Sequence, residues 1–362
     1  MNNWSVSLDS LGNFWLQFAI MAVIVIAFLM CSVIMFIWME RRVIARFQSR
    51  LGPNRAGPFG LLQAFADTIK ILTKEDIIPS KADRVLFWVA PAIAFVPTLL
   101  IMAVIPLMNG LQLADLNVGV VFIAAVSAIS AIGLFLSGMA ANNKYSLVGA
   151  IREIGQLISY EIPMVLALIG LVIACGSTSL SDIVAAQSVP NILLQPLGFV
   201  VFMIAILAEI NRTPFDLVEA DSELTCGFNT EYSGMKFALL YLTEYSEAVV
   251  GSALLTTFFL GGWHGPFLPG IVWFTIKMVL SFMFILWLRS TLPRLRIDQS
   301  MRLAWKGILP LALLNILIVG LQTVFLPDLS LWISIPAYLL ISIVVIMLWA
   351  RFLRKERQSV GT

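Results

Sequence analysis

Between two apolar runs, the stretch AEINRTPFDLVEADSELTCGFNTEYSG (208–234) gathers Glu209, Asp216, Glu219, Asp221, Glu223 and Glu231 in a chain that is only 12% charged. More carboxylates stand inside apolar runs: Glu153 and Glu161 in GAIREIGQLISYEIPM, Glu244 and Glu247 in YLTEYSEAVV. Carboxylates take and release protons, burial and neighbouring charge tune each one, and coupled groups titrate as a set. An ionised side chain near a bilayer centre costs roughly 2.5–3.5 kcal/mol, so such positions call for a function or a partner. Glu244 and Glu247, three apart, share a helix face. Counted from Phe237 at 1.5 Å per residue they lie about 10 and 15 Å deep, and Lys277 lies about 10 Å from the opposite surface. Glu247 and Lys277 could then meet, as a structural ion pair or as part of a water-lined proton path. Pro163, two residues after Glu161, removes a backbone donor and frees carbonyls that water can reach. Tyr160 and Tyr245 sit beside acids and serve either as relays or as interfacial anchors. Some acids have a structural alternative: Arg212 follows Glu209 by three and could pair with it, and NRTPFD reads as a turn with Asp216 capping the next segment.

The elements that must position these groups are membrane helices. With 60% hydrophobic residues and a mean hydropathy of +0.94, the chain reads as an all-α, polytopic integral membrane protein. Charge-free runs cover 14–39, 85–108, 118–141, 192–208, 308–326 and 331–350. Three more runs carry charge: 146–176 with Arg152, Glu153 and Glu161; 237–260 with Glu244 and Glu247; and 270–288 with Lys277. The expectation is nine spans in a single transmembrane domain over 1–362, with core spans within 14–326 and an extra C-terminal span at 331–350. The first run is too long for a signal peptide and lacks its basic flank and cleavage pattern, so it is kept as a helix. Of the 23 Lys and Arg, only Lys277 falls off one side of this arrangement. The N-terminus is therefore expected outside and the C-terminal RFLRKER inside, together with the acidic loop, in a bacterial-type inner membrane.

Cys31, Cys175 and Cys226 are far apart with no CxxC, and His264 is the only histidine. Neither a disulfide framework, a zinc or iron–sulfur site, nor bis-histidine haem is indicated, and no metal or redox cofactor is expected on this chain. No nucleotide-binding glycine motif occurs. The net charge of +2 is accounted for by topology and gives no indication of nucleic acid.

The first inner loop reads MERRVIARFQSRLGPNRAGPFGLLQAFADTIKILTKEDIIPSKADR. Gly52-Pro53 and Gly57-Pro58 fix turns. From Leu61 to Thr73, Leu61, Leu62, Phe65, Ile69 and Leu72 fall at helical spacing opposite Gln63, Asp67, Lys70 and Lys74, the pattern of an amphipathic helix lying in the membrane interface. Such a helix either anchors the loop or borders a site.

ERRVIARFQSRLGPNRAGPFGLLQAFADTIKILTKED, NNKYSLVGAIREIGQLISYEIP, AEINRTPFDLVEADSELTCGFNTEYSGMKFALLYLTEYSE and PRLRIDQSMRLAWKGILPLAL together closely resemble the family of H subunits of NADH:quinone oxidoreductase, respiratory complex I. The resemblance implies a membrane subunit of a proton-translocating oxidoreductase. It would form much of the quinone chamber and the acidic path that couples quinone reduction to proton pumping. It implies Glu40, Arg41, Arg46, Arg55, Asp67 and Lys70 at the chamber and its mouth. The proton path would run through Glu161, Glu209, Asp216, Glu219, Asp221, Glu223, Glu231 and Glu244, with Arg152 beside them. Glu247 and Lys277 come from the depth argument and Glu153 from its place in an apolar run; Glu153 and Glu247 are not firmly tied to the family. The family also implies quinone as substrate, lipid and other membrane and peripheral subunits as partners, and NADH, FMN and iron–sulfur clusters held by those partners. The wider superfamily leaves open a membrane subunit of an energy-converting hydrogenase or of a dehydrogenase using coenzyme F420 or ferredoxin. A separate class, the independent ion transporter, should show paired inverted repeats with broken helices, which the sequence does not display.

Overall fold

A computed structural model describes residues 14–218, 227–325 and 331–360. Its elements are helical: α1 (Phe14–Phe47), α2 (Gln63–Leu72), α3 (Arg84–Val104), α4 (Gly119–Ala140), α5 (Lys144–Cys175), α6 (Leu180–Ala186), α7 (Asn191–Leu194), α8 (Pro196–Glu209), α9 (Gly234–Phe259), α10 (Gly270–Thr291), α11 (Ile297–Arg302), α12 (Leu309–Phe325) and α13 (Leu331–Val360). α11 and α12 join through a π-helical turn, Leu303–Ile308. Pro310 lies just beyond it, and a missing N–H is accommodated by such a widened turn.

Six of these helices are long and apolar enough to cross a membrane: α1 from Ala19, α3, α4, α5, α10, and the continuous Ile297–Phe325. The sequence led to nine. The three others depart for identifiable reasons. α8 has only 14 residues because Pro196 starts it after a break at Gln195. α13 is itself 30 residues long, and within its apolar run the side chains described are those of Ile335–Trp349. α9 is long, at 26 residues, but carries Glu244, Glu247 and several hydroxyls.

The position of α9 explains its polarity. Every residue from Ala248 to Phe259 is buried, and α9 packs against α1, α3 and α10. A helix screened from lipid on all sides needs no apolar coat. Its hydroxyls bond to its own carbonyls, as Thr243 does to Leu239, Ser252 to Ala248 and Thr256 to Ser252. Around it α3 lies on α4, α4 on α5, and α5 on both α8 and α12. α3 and α4 approach closely because Gly133 has no side chain; a Cβ there would stand 2.4 Å from the backbone nitrogen of Ala94.

Candidate functional site

The ionisable side chains fall into two neighbouring groups around α9. In the first, Glu40 near the C-terminal end of α1 and Glu244 in α9 face two guanidinium groups. Arg212 Nη1 lies 2.7 Å from Glu244 Oε1 and 3.6 Å from Glu40 Oε1, and Arg289 at the end of α10 also bonds to Glu40 Oε1. Glu40 and Arg212 are 5% and 6% exposed. Two acids and two bases thus form a neutral set, the condition under which buried charge is tolerated. Arg212 also stacks on the Tyr245 ring at 4.8 Å, and the Tyr241 hydroxyl donates to that of Tyr245 at 3.2 Å.

Arg41, beside Glu40, reaches out of this set to Asp67 on α2, and Gln63 donates to the same carboxylate at 2.9 Å. Gln63 and Asp67 therefore turn toward the bundle, leaving Leu61, Leu62, Phe65, Ile69 and Leu72 exposed. The preceding turn is fixed to α1. Trp38 Nε1 donates to Phe59 O at 3.1 Å, and the Arg42 guanidinium lies between the Trp38 and Phe59 rings at 5.3 and 5.5 Å. Gly60, at φ +75°, passes so close to Pro53 that a Cβ would meet its carbonyl at 2.2 Å. Arg46, Arg55 and Lys70 are exposed on this segment and do not join the buried set.

The second group surrounds two cavities deeper in the bundle. Glu153, Glu209 and Glu247 line one of about 30 Å³, with Ser127 and Ser130. Glu161, Tyr160 and Glu209 line another of about 10 Å³. The cavities share Ser127, Leu157, Met164 and Glu209 in their walls. Room for a water begins at about 10–15 Å³, so the larger holds about two and the smaller about one. Helix α5 continues through Pro163, and the turn before it borders the smaller cavity. Glu153 Oε1 accepts from Asn211 Nδ2 at 2.7 Å, and Gln156 Nε2 donates to Asn211 Oδ1 at 3.0 Å. Asn211 adopts a left-handed φ of 55°, a conformation asparagine tolerates.

Three expected contacts are corrected. Lys277 does not meet Glu247: its Nζ donates to Gly262 O at 3.0 Å and His264 O at 2.7 Å, whereas Glu247 contacts Ser130. The ammonium turns toward the loop after α9, where carbonyls are already at hand. Arg212 does not pair with Glu209, because the left-handed turn at Asn211 carries the chain back toward α9. Tyr160 does not relay toward Glu161; its hydroxyl donates to Ser300 O at 2.8 Å.

Of the loop acids, Asp216 accepts from Arg294 Nη2 at 2.6 Å and Glu231 from Asn143 Nδ2 at 2.8 Å. Arg152 is part-buried on α5. Glu219, Asp221, Glu223 and Cys226 lie outside the described residues. Among the described residues, no three His, Cys, Asp or Glu side chains could jointly hold a metal ion. Arg289, Asn211 and Ser130 escaped the sequence reading. Arg289 carried a faint signal as a base in the last turn of an apolar helix; the other two carried none.

A sequence model of the NADH dehydrogenase family matches residues 20–320. The chain is 54% identical over 342 residues to the H subunit of NADH-quinone oxidoreductase from Dehalococcoides mccartyi strain CBDB1, covering 94% of this chain and 97% of that one. It is 54% identical over 294 residues to an H subunit of the same enzyme from Geobacter metallireducens (78% and 89% covered) and 48% identical over 309 residues to the one from Brevibacillus brevis (84% and 92%).

Proposed function

The chain belongs to the NADH dehydrogenase family, alongside proteins named as H subunits of NADH-quinone oxidoreductase, and from that membership we propose that it couples quinone reduction to proton translocation. In this reading it crosses the membrane nine times, with the N-terminus outside and the C-terminus inside, as the placement of its basic residues favours. Glu40, Arg41 and Asp67 border the quinone chamber, with Arg46, Arg55 and Lys70 on the same loop at its mouth. Electrons arrive from NADH through FMN and iron–sulfur clusters on partner subunits. Quinone takes two electrons and two protons to become quinol, so the chamber has to be resupplied with protons.

The observation that carries the reading is the continuity from α2 into the bundle. Asp67 bonds to Arg41, whose neighbour Glu40 shares Arg212 with Glu244. A charge change at Glu40 would be felt at Glu244 with little screening, since both are buried, and Asp67, about a third exposed, reaches that set through Arg41. From there the acids Glu161 and Glu209, with Asp216, Glu219, Asp221, Glu223, Glu231 and Arg152 at the inner loop, would pass the disturbance on as proton movement.

The test is to extract the native complex in mild detergent by a C-terminal tag, identify its companions by mass spectrometry, and assay it with NADH and a short-chain quinone. Iron–sulfur companions with inhibitor-sensitive quinone reduction are expected. A nickel–iron hydrogenase companion without quinone reduction would move the chain to the hydrogenase branch. Purification as a lone chain would overturn the reading.

A further inference from the structure

Three facts about the larger cavity are not used by the coupling route above. Glu247 stands at the middle of α9, and its Oε1 lies 2.6 Å from Ser130 Oγ on α4. The same Ser130 Oγ lies 2.9 Å from Ala94 O on α3. A hydroxyl has a single hydrogen and can donate to only one of these oxygens. Both contacts are hydrogen bonds only if the Glu247 carboxyl brings a hydrogen of its own, with Ser130 donating to Ala94 O and accepting from Glu247. The second fact concerns Glu153, which is 2% exposed. Its Oε1 is held by Asn211, yet its Oε2 has no hydrogen-bond partner among the described residues while the side chain lines the cavity. Such an orphaned oxygen normally marks a missing donor, and the cavity has room for about two waters. The third is the absence of any Lys, Arg or His among the residues lining that cavity. An ionised pair there would stand without a counter-charge, which buried ions need.

We propose that Glu247 and Glu153 form a proton-holding site: a neutral Glu247 on Ser130, linked by cavity water to Glu153 Oε2 and, through the shared wall, to Glu209. The titratable groups facing it are Glu153, Glu209 and Glu247 within the cavity and Glu244 one turn away on α9. The site is a side alcove of the acidic path and stores one exchangeable proton beside it. Its use in pumping rests on the function proposed above; its protonation and hydration do not.

The experiment is static infrared spectroscopy of the resting, purified complex, which requires no turnover. The wild-type-minus-E247Q difference spectrum should show loss of a protonated-carboxyl C=O band, and in D2O that band should shift, because the hydrogen exchanges with cavity water. Glutamine is the isostere of the neutral acid and keeps a donor toward Ser130 Oγ, so E247Q should assemble. S130A, measured alongside, should move the band without abolishing it and secures the test if E247Q fails to assemble. Loss of ionised-carboxylate bands in place of the protonated one, a C=O band that ignores D2O, or a band untouched by S130A would each overturn the proposal. None of these results depends on quinone reductase activity, so failure of the functional reading would be seen separately.

Discussion

Replacing Arg212 with Met probes the buried ion set directly. The wild-type set balances Glu40 and Glu244 against Arg212 and Arg289, with Arg212 2.7 Å from Glu244 and both side chains mostly buried. Removing one partner of a buried pair leaves an uncompensated charge and costs about 3–5 kcal/mol. Loss of the stacking on Tyr245 adds about 1 kcal/mol. At roughly 2 °C per kcal/mol for a chain of this size, the temperature at which half the complex loses its subunits should fall by about 8–12 °C. Chromatography after stepwise heating reads this without reference to activity. The double variant R212M/E244Q removes the stranded charge together with its partner, while Glu40 keeps Arg289. It should recover about half of the loss, about 2–3 kcal/mol, within the range found for residues in one network. If the double variant falls as far as R212M alone, Arg212 acts through packing or through another group, and the balanced-set argument fails.

Other substitutions probe the surface helix, the helix packing and the corrected lysine. Asp67→Asn should lower quinone turnover several-fold more than electron transfer to ferricyanide, because Asp67 holds Arg41 at the site proposed for quinone; equal losses would indicate failed assembly. Gly133→Val should reduce the amount of assembled complex strongly, measured by native gel, since its side chain would be forced into the Ala94 backbone; normal levels would refute the close approach of α3 and α4. Lys277→Met should loosen the loop after α9, seen as faster hydrogen exchange at Gly262 and His264, while protons moved per electron stay unchanged. A changed ratio would reinstate Lys277 in the proton path.

Much of this architecture is legible in the sequence because lipid imposes a one-dimensional rule. Apolar runs such as 85–108 and 118–141 become α3 and α4 within a few residues at the N-terminal ends. The amphipathic character of α2 is also legible, since its spacing separates Asp67 from Phe65 and Ile69. Azimuth is not. Counting residues gives the depth of Glu247 and Lys277, but not which neighbour each helix face meets, and the two turn to different partners. Arg212 illustrates a second limit: its direction is decided by the left-handed Asn211, a choice between backbone wells that local sequence leaves open. Glu153 illustrates a third, because a cavity is what several helices leave between them and no single segment encodes it.

The most direct test of coupling is Glu244→Gln in the complex reconstituted into sealed vesicles, with proton uptake and quinone reduction followed together. Glutamine keeps the shape but removes the charge that answers Arg212. Both rates should drop together, by about tenfold or more for a group acting in proton transfer, while the subunits remain assembled. Full proton pumping at the wild-type ratio would contradict the account.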